Sequence, residues 1–255
     1  LNDEHRAKHA RVSEYLRLHE LDAVLLARRC NFSWYTCGAH NHVAHACDAG
    51  NSWLLIERDQ ARVITNNIES PRLRAEELAR SGIEVVEHPW TDTDGLARAL
   101  QREAGSMRIA CDHPVQGVDA APLGGDFDRL RWQLTPEEVE RYRGVCDDTV
   151  AALEHAARAA RPGQSEHELC AAAAAQLRSR GLLPWVLLVA GDSRARRFRH
   201  PLPTGREVRR YFMLVACAER GGLIAACTRI ASFEPLDTEL AERHRAVATV
   251  DAALI

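Results

Sequence analysis

The stretch MLVACAERGGLIAACTR, residues 213–229, constrains the fold more than any other. Two apolar runs flank a glycine pair, so the segment reads as a buried β-hairpin that closes on Thr228-Arg229. A turn from Arg220 to Gly222 sets Ala216 opposite Ala226, with both methyls on one face. Glu219 lies an odd number of residues from Ala216 and falls on the other face.

The chain upstream alternates strand and helix signals. Residues 4–20 form a helix with Val12, Tyr15, Leu16 and Leu21 on one side. DAVLLA (22–27) is a buried strand, and SWLLIERDQARVITN is two strands around Arg58 to Gln60. A helix opens at Ser70-Pro71 and ends at Ser81-Gly82. IEVVEHPW and MRIACD are strands, with the helix TDGLARALQREAG between them. This alternation implies a layered α/β domain over residues 1–130. APLGGDFDRLRWQ reads as a linker. Residues 135–255 then open with a capping box, Thr135 and Glu138, at the head of a long helix. A second box, Ser165 and Glu168, starts the next helix, which stops at Gly181. LPWVLLVAGD is a strand, SRARRFRHPLPTGREVRR a basic loop, and a last helix follows the hairpin.

With 46% hydrophobic residues the chain of 255 can bury real cores, and its net charge of −3 gives no basic excess to suggest nucleic acid. No apolar run is long enough for a membrane helix, and the charged N-terminal segment is not a signal peptide. The eight cysteines form no C-x-x-C pair and read as reduced thiols of a cytoplasmic protein. Small apolar residues are the expected role of Cys217 and Cys227.

LTPEEVERYR, ARPGQSEHEL, LPWVLLVAGDSRA, HPLPT and the hairpin ending CTR occur in an order that resembles the pita-bread family of aminopeptidase P, prolidase and creatinase. ELDAVLLARRCNFSWYTCG resembles the start of that family's N-terminal domain, with Asn31, Tyr35 and Gly38 in place of its Asn-x-x-Tyr-x-x-Gly, one residue longer. The resemblance implies an α/β (α+β) protein: a creatinase-type N-terminal α/β domain, then the first half of a pita-bread domain. The peptidases of the family carry two metal ions on hairpin aspartates. The matching positions are Ala216 and Ala226, which offer no oxygen ligand, so no metal and no other cofactor is expected. The second half of the fold is missing from the sequence, and its absence leaves an apolar sheet face for another segment or chain to cover.

His200, in HPLPT, matches a family histidine. Imidazole titrates near neutral pH, which suits general acid–base work. Arg197 and Arg199 beside it, and Arg229 in the Thr-Arg step, offer guanidinium forks for a substrate carboxylate; for Arg229 a structural ion pair is the equal alternative. His40, His42 and His45, between Cys37 and Cys47, have no zinc-site spacing and read as a polar loop. In dimers of the family this loop reaches the neighbour's pocket, which makes His42 and His45 candidates for substrate contact. The expectation is a homodimeric, metal-independent, creatinase-like hydrolase that cleaves a C–N bond in a small amino-acid-like or guanidino substrate, with no nucleic-acid or membrane partner. The alternatives are an inactive Xaa-Pro aminopeptidase homologue that binds a peptide or protein, and an active Xaa-Pro metallo-aminopeptidase.

Overall fold

The computed structural model describes residues 3–254. The chain divides into two compact units, one up to Tyr142 together with the turn Gly221–Leu223, the other from Arg143 to Arg220 and from Ile224 onward.

The first unit is built on a mixed six-stranded sheet. Its strands are β1 (Ala23–Arg28), β2 (Ala49–Glu57), β3 (Ala61–Asn66), β4 (Glu84–His88), β5 (Ile109–Cys111) and β6 (Ala121–Pro122). They lie in the order β4-β3-β2-β1-β5-β6. Strand β1 is central: it runs antiparallel to β2 and parallel to β5. Both its faces are covered, which explains its unbroken apolar run. Val24 and Leu26 pack with Val12 and Leu16 of α1 (Asp3–Leu18) and Phe32 of α2 (Arg29–Tyr35). Ala23, Leu25 and Ala27 pack on the other face with Ala99 and Leu100 of α4 (Gly95–Ala104). The unit therefore has three layers. Where one helix is expected from Ser70, the structure has the short α3 (Ser70–Arg72) running into a π-helical turn, Leu73–Glu77. The expected linker is also not plain coil. It carries β6 and a 3-10 turn, Phe127–Arg131, whose Phe127 packs into the core.

The Asn-Tyr-Gly pattern has structural work to do in this unit. Asn31 donates to Asp112 (2.9 Å), which also accepts from the Ala27 and Arg28 amides and so fixes the end of β1. The Tyr35 hydroxyl meets His9 Nδ1 at 2.7 Å. Below them lies a buried ionic cluster. Lys8 has no solvent exposure, and its Nζ donates to Glu4 (2.7 Å) and to the Trp34 carbonyl (2.6 Å) and pairs with Glu138 (2.8 Å). Arg141 grips both oxygens of Glu4 at 2.7 Å. The other oxygen of Glu138 closes the predicted capping box on the Thr135 amide (2.9 Å), at the head of α5 (Pro136–Ala159).

The second unit holds a three-stranded sheet, β7 (Leu183–Gly191), β8 (Tyr211–Arg220) and β9 (Leu223–Ser232), in that order. Helix α6 (Glu166–Arg178) packs on β7, opening on the predicted Ser165–Glu168 box. The basic segment after β7 begins with a short helix, α7 (Asp192–Arg197), and α8 (Thr238–Leu254) ends the described chain with no buried residue. No helix among the described residues is long and apolar enough to cross a membrane.

Candidate functional site

The hairpin decides what the second unit can offer a ligand. Strand β8 stops at Arg220 and β9 starts at Leu223, so the turn is two residues, Gly221 and Gly222, both at positive φ (+59° and +79°). That is the backbone of a two-residue hairpin turn, and glycine adopts it without strain. A two-residue turn sets Arg220 against Leu223, and counting back sets Ala216 against Cys227 and Cys217 against Ala226. Burial agrees. Ala216 is fully buried with Phe212, Leu214 and Ala218, while Ala226, like Ile224, Thr228 and Ile230, is exposed.

Ala216 and Ala226 therefore do not share a face, contrary to the expectation from a three-residue turn. A one-residue change in turn length reverses the facing of every residue beyond it. Ala216 lies on the helix-covered side. The uncovered side carries Met213, Val215, Cys217 and Glu219 from β8, with Ala226 and Thr228 from β9. Glu219 thus belongs to the uncovered side by alternation, although it is itself only 6% exposed.

This donor set does not fit a pair of hard divalent ions. One buried carboxylate and one hydroxyl replace the several carboxylates such a centre uses. Among the described residues no three His, Cys, Asp or Glu side chains are placed to share a metal ion.

Arg229 falls on the helix-covered side, with its Nε and Nη2 each 3.4 Å from Glu154 of α5. Its Nη1 reaches Cys227 Sγ at 3.2 Å. Of the two roles expected for Arg229, the structural one has a partner here, Glu154, because its strand position faces α5. Burial pushes the Cys227 thiol up, which suits packing rather than nucleophilic attack.

His200 is exposed at a bend beyond α7 and makes no hydrogen bond or ion pair among the described residues. Arg199 is likewise exposed and unpaired, and Arg197 stacks on the Phe198 ring with 5.6 Å to its centroid. What positions the segment is a residue that the sequence does not single out. Glu166, 1% exposed, accepts from the Gly191 amide (3.0 Å), the Thr204 amide (2.9 Å) and the Thr204 hydroxyl (2.7 Å), and pairs with Arg194. Burial alone raises a carboxyl pKa; here the bonds from Gly191, Thr204 and Arg194 outweigh it and hold Glu166 below the usual range. Asp192 closes the far end by accepting from the amides of Arg209 (3.0 Å), Arg210 (2.9 Å) and Tyr211 (3.3 Å). The sequence hint for Glu166 is an acid directly after the Ser165 cap, which local rules credit to the helix dipole.

In the first unit the loop histidines form an edge-to-face row: His40 to His42 at 5.3 Å and His42 to His45 at 5.2 Å between ring centroids. Arg29 Nη2 lies 2.8 Å from His42 Nε2, and Nη1 donates to the His45 carbonyl (3.1 Å). Burial, then the Arg29 charge, lower His42 to about 4, so its ring is neutral at pH 7 and Nε2 accepts from Arg29. His42 is thus held through Nε2 by Arg29 of α2, and His45 is the exposed member. A separate cavity of about 440 Å³ in this unit, lined by Trp53, Asp94 and His113, involves none of the predicted residues.

No protein-family model and no curated protein matches the chain. Solved structures do. The Xaa-Pro dipeptidase from Bacillus anthracis superposes with a TM-score of 0.71 at 18% identity, over 93% of this chain and 68% of that one. For the X-Pro aminopeptidase from Thermotoga maritima the values are 0.72, 16%, 94% and 69%. For the prolidase from Pyrococcus horikoshii they are 0.72, 16%, 92% and 67%. The chain shares their fold. It is a creatinase-type α/β domain followed by part of a pita-bread domain, and at these identities the likeness is one of architecture.

Proposed function

We propose that this chain is a hydrolase of C–N bonds in a small amino-acid-like, guanidino or short-peptide substrate, working without the two-metal centre of the peptidases whose fold it shares. The observation that carries the reading is the exposed imidazole of His200, on a segment pinned at both ends, in a unit whose hairpin carries no carboxylate pair. In the proposed reaction His200 takes a proton from water as its oxygen adds to carbon, and returns it to the nitrogen as the C–N bond breaks. Arg197 and Arg199 hold a substrate carboxylate. A homodimer, with the exposed His45 near the partner's site, and a cytoplasmic setting complete the reading; eight free cysteines support the latter.

A second reading has its own support. Among the described residues His200 has no orienting partner, whereas a catalytic base is normally held by a second group. That favours a peptide- or protein-binding homologue without turnover. The deciding experiment is elemental analysis of the purified protein, with guanidino, amide and Xaa-Pro substrates tested before and after chelation. Metal-free turnover lost in His200→Ala supports the hydrolase. Chelator-sensitive turnover with near-stoichiometric metal refutes it. Saturable peptide binding without turnover selects the second reading.

A further inference from the structure

The segment from Arg194 to Arg210 holds seven arginines and a single acid, Glu207, in a chain whose net charge is −3. A basic loop on a protein surface is ordinarily a solvated one, its charges matched by nearby carboxylates. Some charges here are matched: Arg194 with Glu166, Arg196 with Asp237 (3.2 Å), Arg209 with Glu207 (3.4 Å) and Arg210 with Glu234 (3.7 Å). Arg197, Arg199 and Arg206 have no ion pair among the described residues, and neither has His200.

The segment is also unusually well fixed for one so charged. Besides Glu166 and Asp192, the Arg194 guanidinium donates to the Leu202 carbonyl (3.0 Å). His167 meets the Pro203 carbonyl at 3.0 Å through its ring and donates its amide to the Thr204 carbonyl at 3.1 Å. The amides of Glu166 and Val208 add bonds to Arg206 (3.0 Å) and Gln164 (2.8 Å). Holding unpaired like charges on a pinned backbone raises the free energy of the empty protein through mutual repulsion, and an anion relieves it. Because the backbone is already ordered, that anion has less entropy to offset on binding.

We infer that this segment is a preformed docking surface for an acidic peptide segment, gripped through its carboxylates by Arg197, Arg199 and Arg206. Nucleic acid fits less well. The three arginines in question sit on one short loop, whereas phosphate-backbone binding draws on many contacts. The exposed ring available for stacking, Phe198, is already flanked by Arg194 and Arg197, each 5.6 Å from its centroid. The inference goes beyond the hydrolase reading and does not require turnover.

The test is fluorescence polarisation of a labelled tetraglutamate peptide against the whole protein, with a labelled single-stranded oligothymidylate as the comparison. Low salt is compared with about 0.5 M salt, where exposed charges are screened. Saturable peptide binding that falls about tenfold or more in the Arg197→Glu/Arg199→Glu double variant, and also in high salt, supports the inference. An Arg102→Glu variant, a charge reversal in the first unit, is expected to bind as the parent does. Thermal melting of the double variant, whose changes are both exposed, confirms that it folds. No peptide binding, binding indifferent to the double change, or tighter binding of the oligonucleotide each overturns it. Turnover kept while peptide binding is absent sinks only this inference; binding kept while turnover is absent sinks only the hydrolase reading.

Discussion

Glu166→Ala is the most informative single change in the second unit. The substitution strands the Gly191 and Thr204 amides, the Thr204 hydroxyl and the Arg194 guanidinium, which is 14% exposed. A hydrogen bond to a charged group contributes about 1.5–3 kcal/mol, but four donors on one carboxylate do not add independently. Removing one partner of a buried ion pair costs about 3–5 kcal/mol, which we take as the expected loss. For a unit of this size that is a fall of about 13–20 °C in the melting temperature. Glu166→Gln is expected to recover only part of it, since an amide NH2 must then face a donor on one side or the other.

The pH dependence has a definite sign. The native Glu166 pKa lies below its ordinary value, so the folded state binds fewer protons. Its stabilisation is therefore complete above the unfolded carboxylate pKa and is lost as pH falls through the native one. The gap between parent and Glu166→Ala should narrow correspondingly in acid. Melting curves near neutral pH and at about pH 3 measure this, and trypsin cleavage after Arg197 or Arg199 reports release of the loop. A variant within about 1 kcal/mol of the parent, with unchanged cleavage, would show that Glu166 does not pin the segment.

Three further outcomes are expected. Ala216→Asp buries an unpaired carboxylate against the helices and costs about 3–5 kcal/mol, whereas Ala226→Asp on the exposed side stays within about 0.5 kcal/mol; equal melting temperatures would refute the hairpin facing. Lys8→Met leaves Glu4 and Glu138 short of their shared cation and costs about 3–5 kcal/mol in denaturant unfolding. Glu4 is held at about 2, by hydrogen bonds and charge from Arg141 and Lys8 that overcome burial, so this cluster's stabilisation is lost only as pH falls from about 4.5 towards about 2. His42, lowered to about 4, stays neutral through the range where an ordinary histidine charges, and its contribution is lost as pH falls from about 6.5 through about 4. An NMR titration placing its midpoint near that of a free histidine would contradict the Arg29 contact.

Much of the fold is legible because it rests on local rules. Ser165 with Glu168 and Thr135 with Glu138 announce their helices and form the predicted boxes. The apolar run of β1 announces a strand covered on both faces. The facing of the hairpin is not legible, because Gly221-Gly222 is compatible with a two- or a three-residue turn and only the length decides the face. For Arg229 the sequence leaves two roles open for the same reason: a motif gives its position, while its direction depends on register. Glu166, Asp192 and Asp112 are silent in the sequence because each acts on amides 17 or more residues away, and no spacing announces such a partner. The short α7 is hidden by arginines that look like loop composition.

Glu138 carries a consequence for cutting the chain. One of its oxygens starts α5 and the other holds Lys8, and the boundary between the units falls inside that helix, after Tyr142. A fragment ended at the polar stretch before Pro136, where the linker-like composition invites a cut, would discard Glu138 and Arg141 together. It would leave buried Lys8 and Glu4 paired only with each other, short of the second carboxylate and the guanidinium that complete the cluster. Expressed alone, the shorter piece should be prone to aggregation, while one carried through the first two turns of α5 should fold.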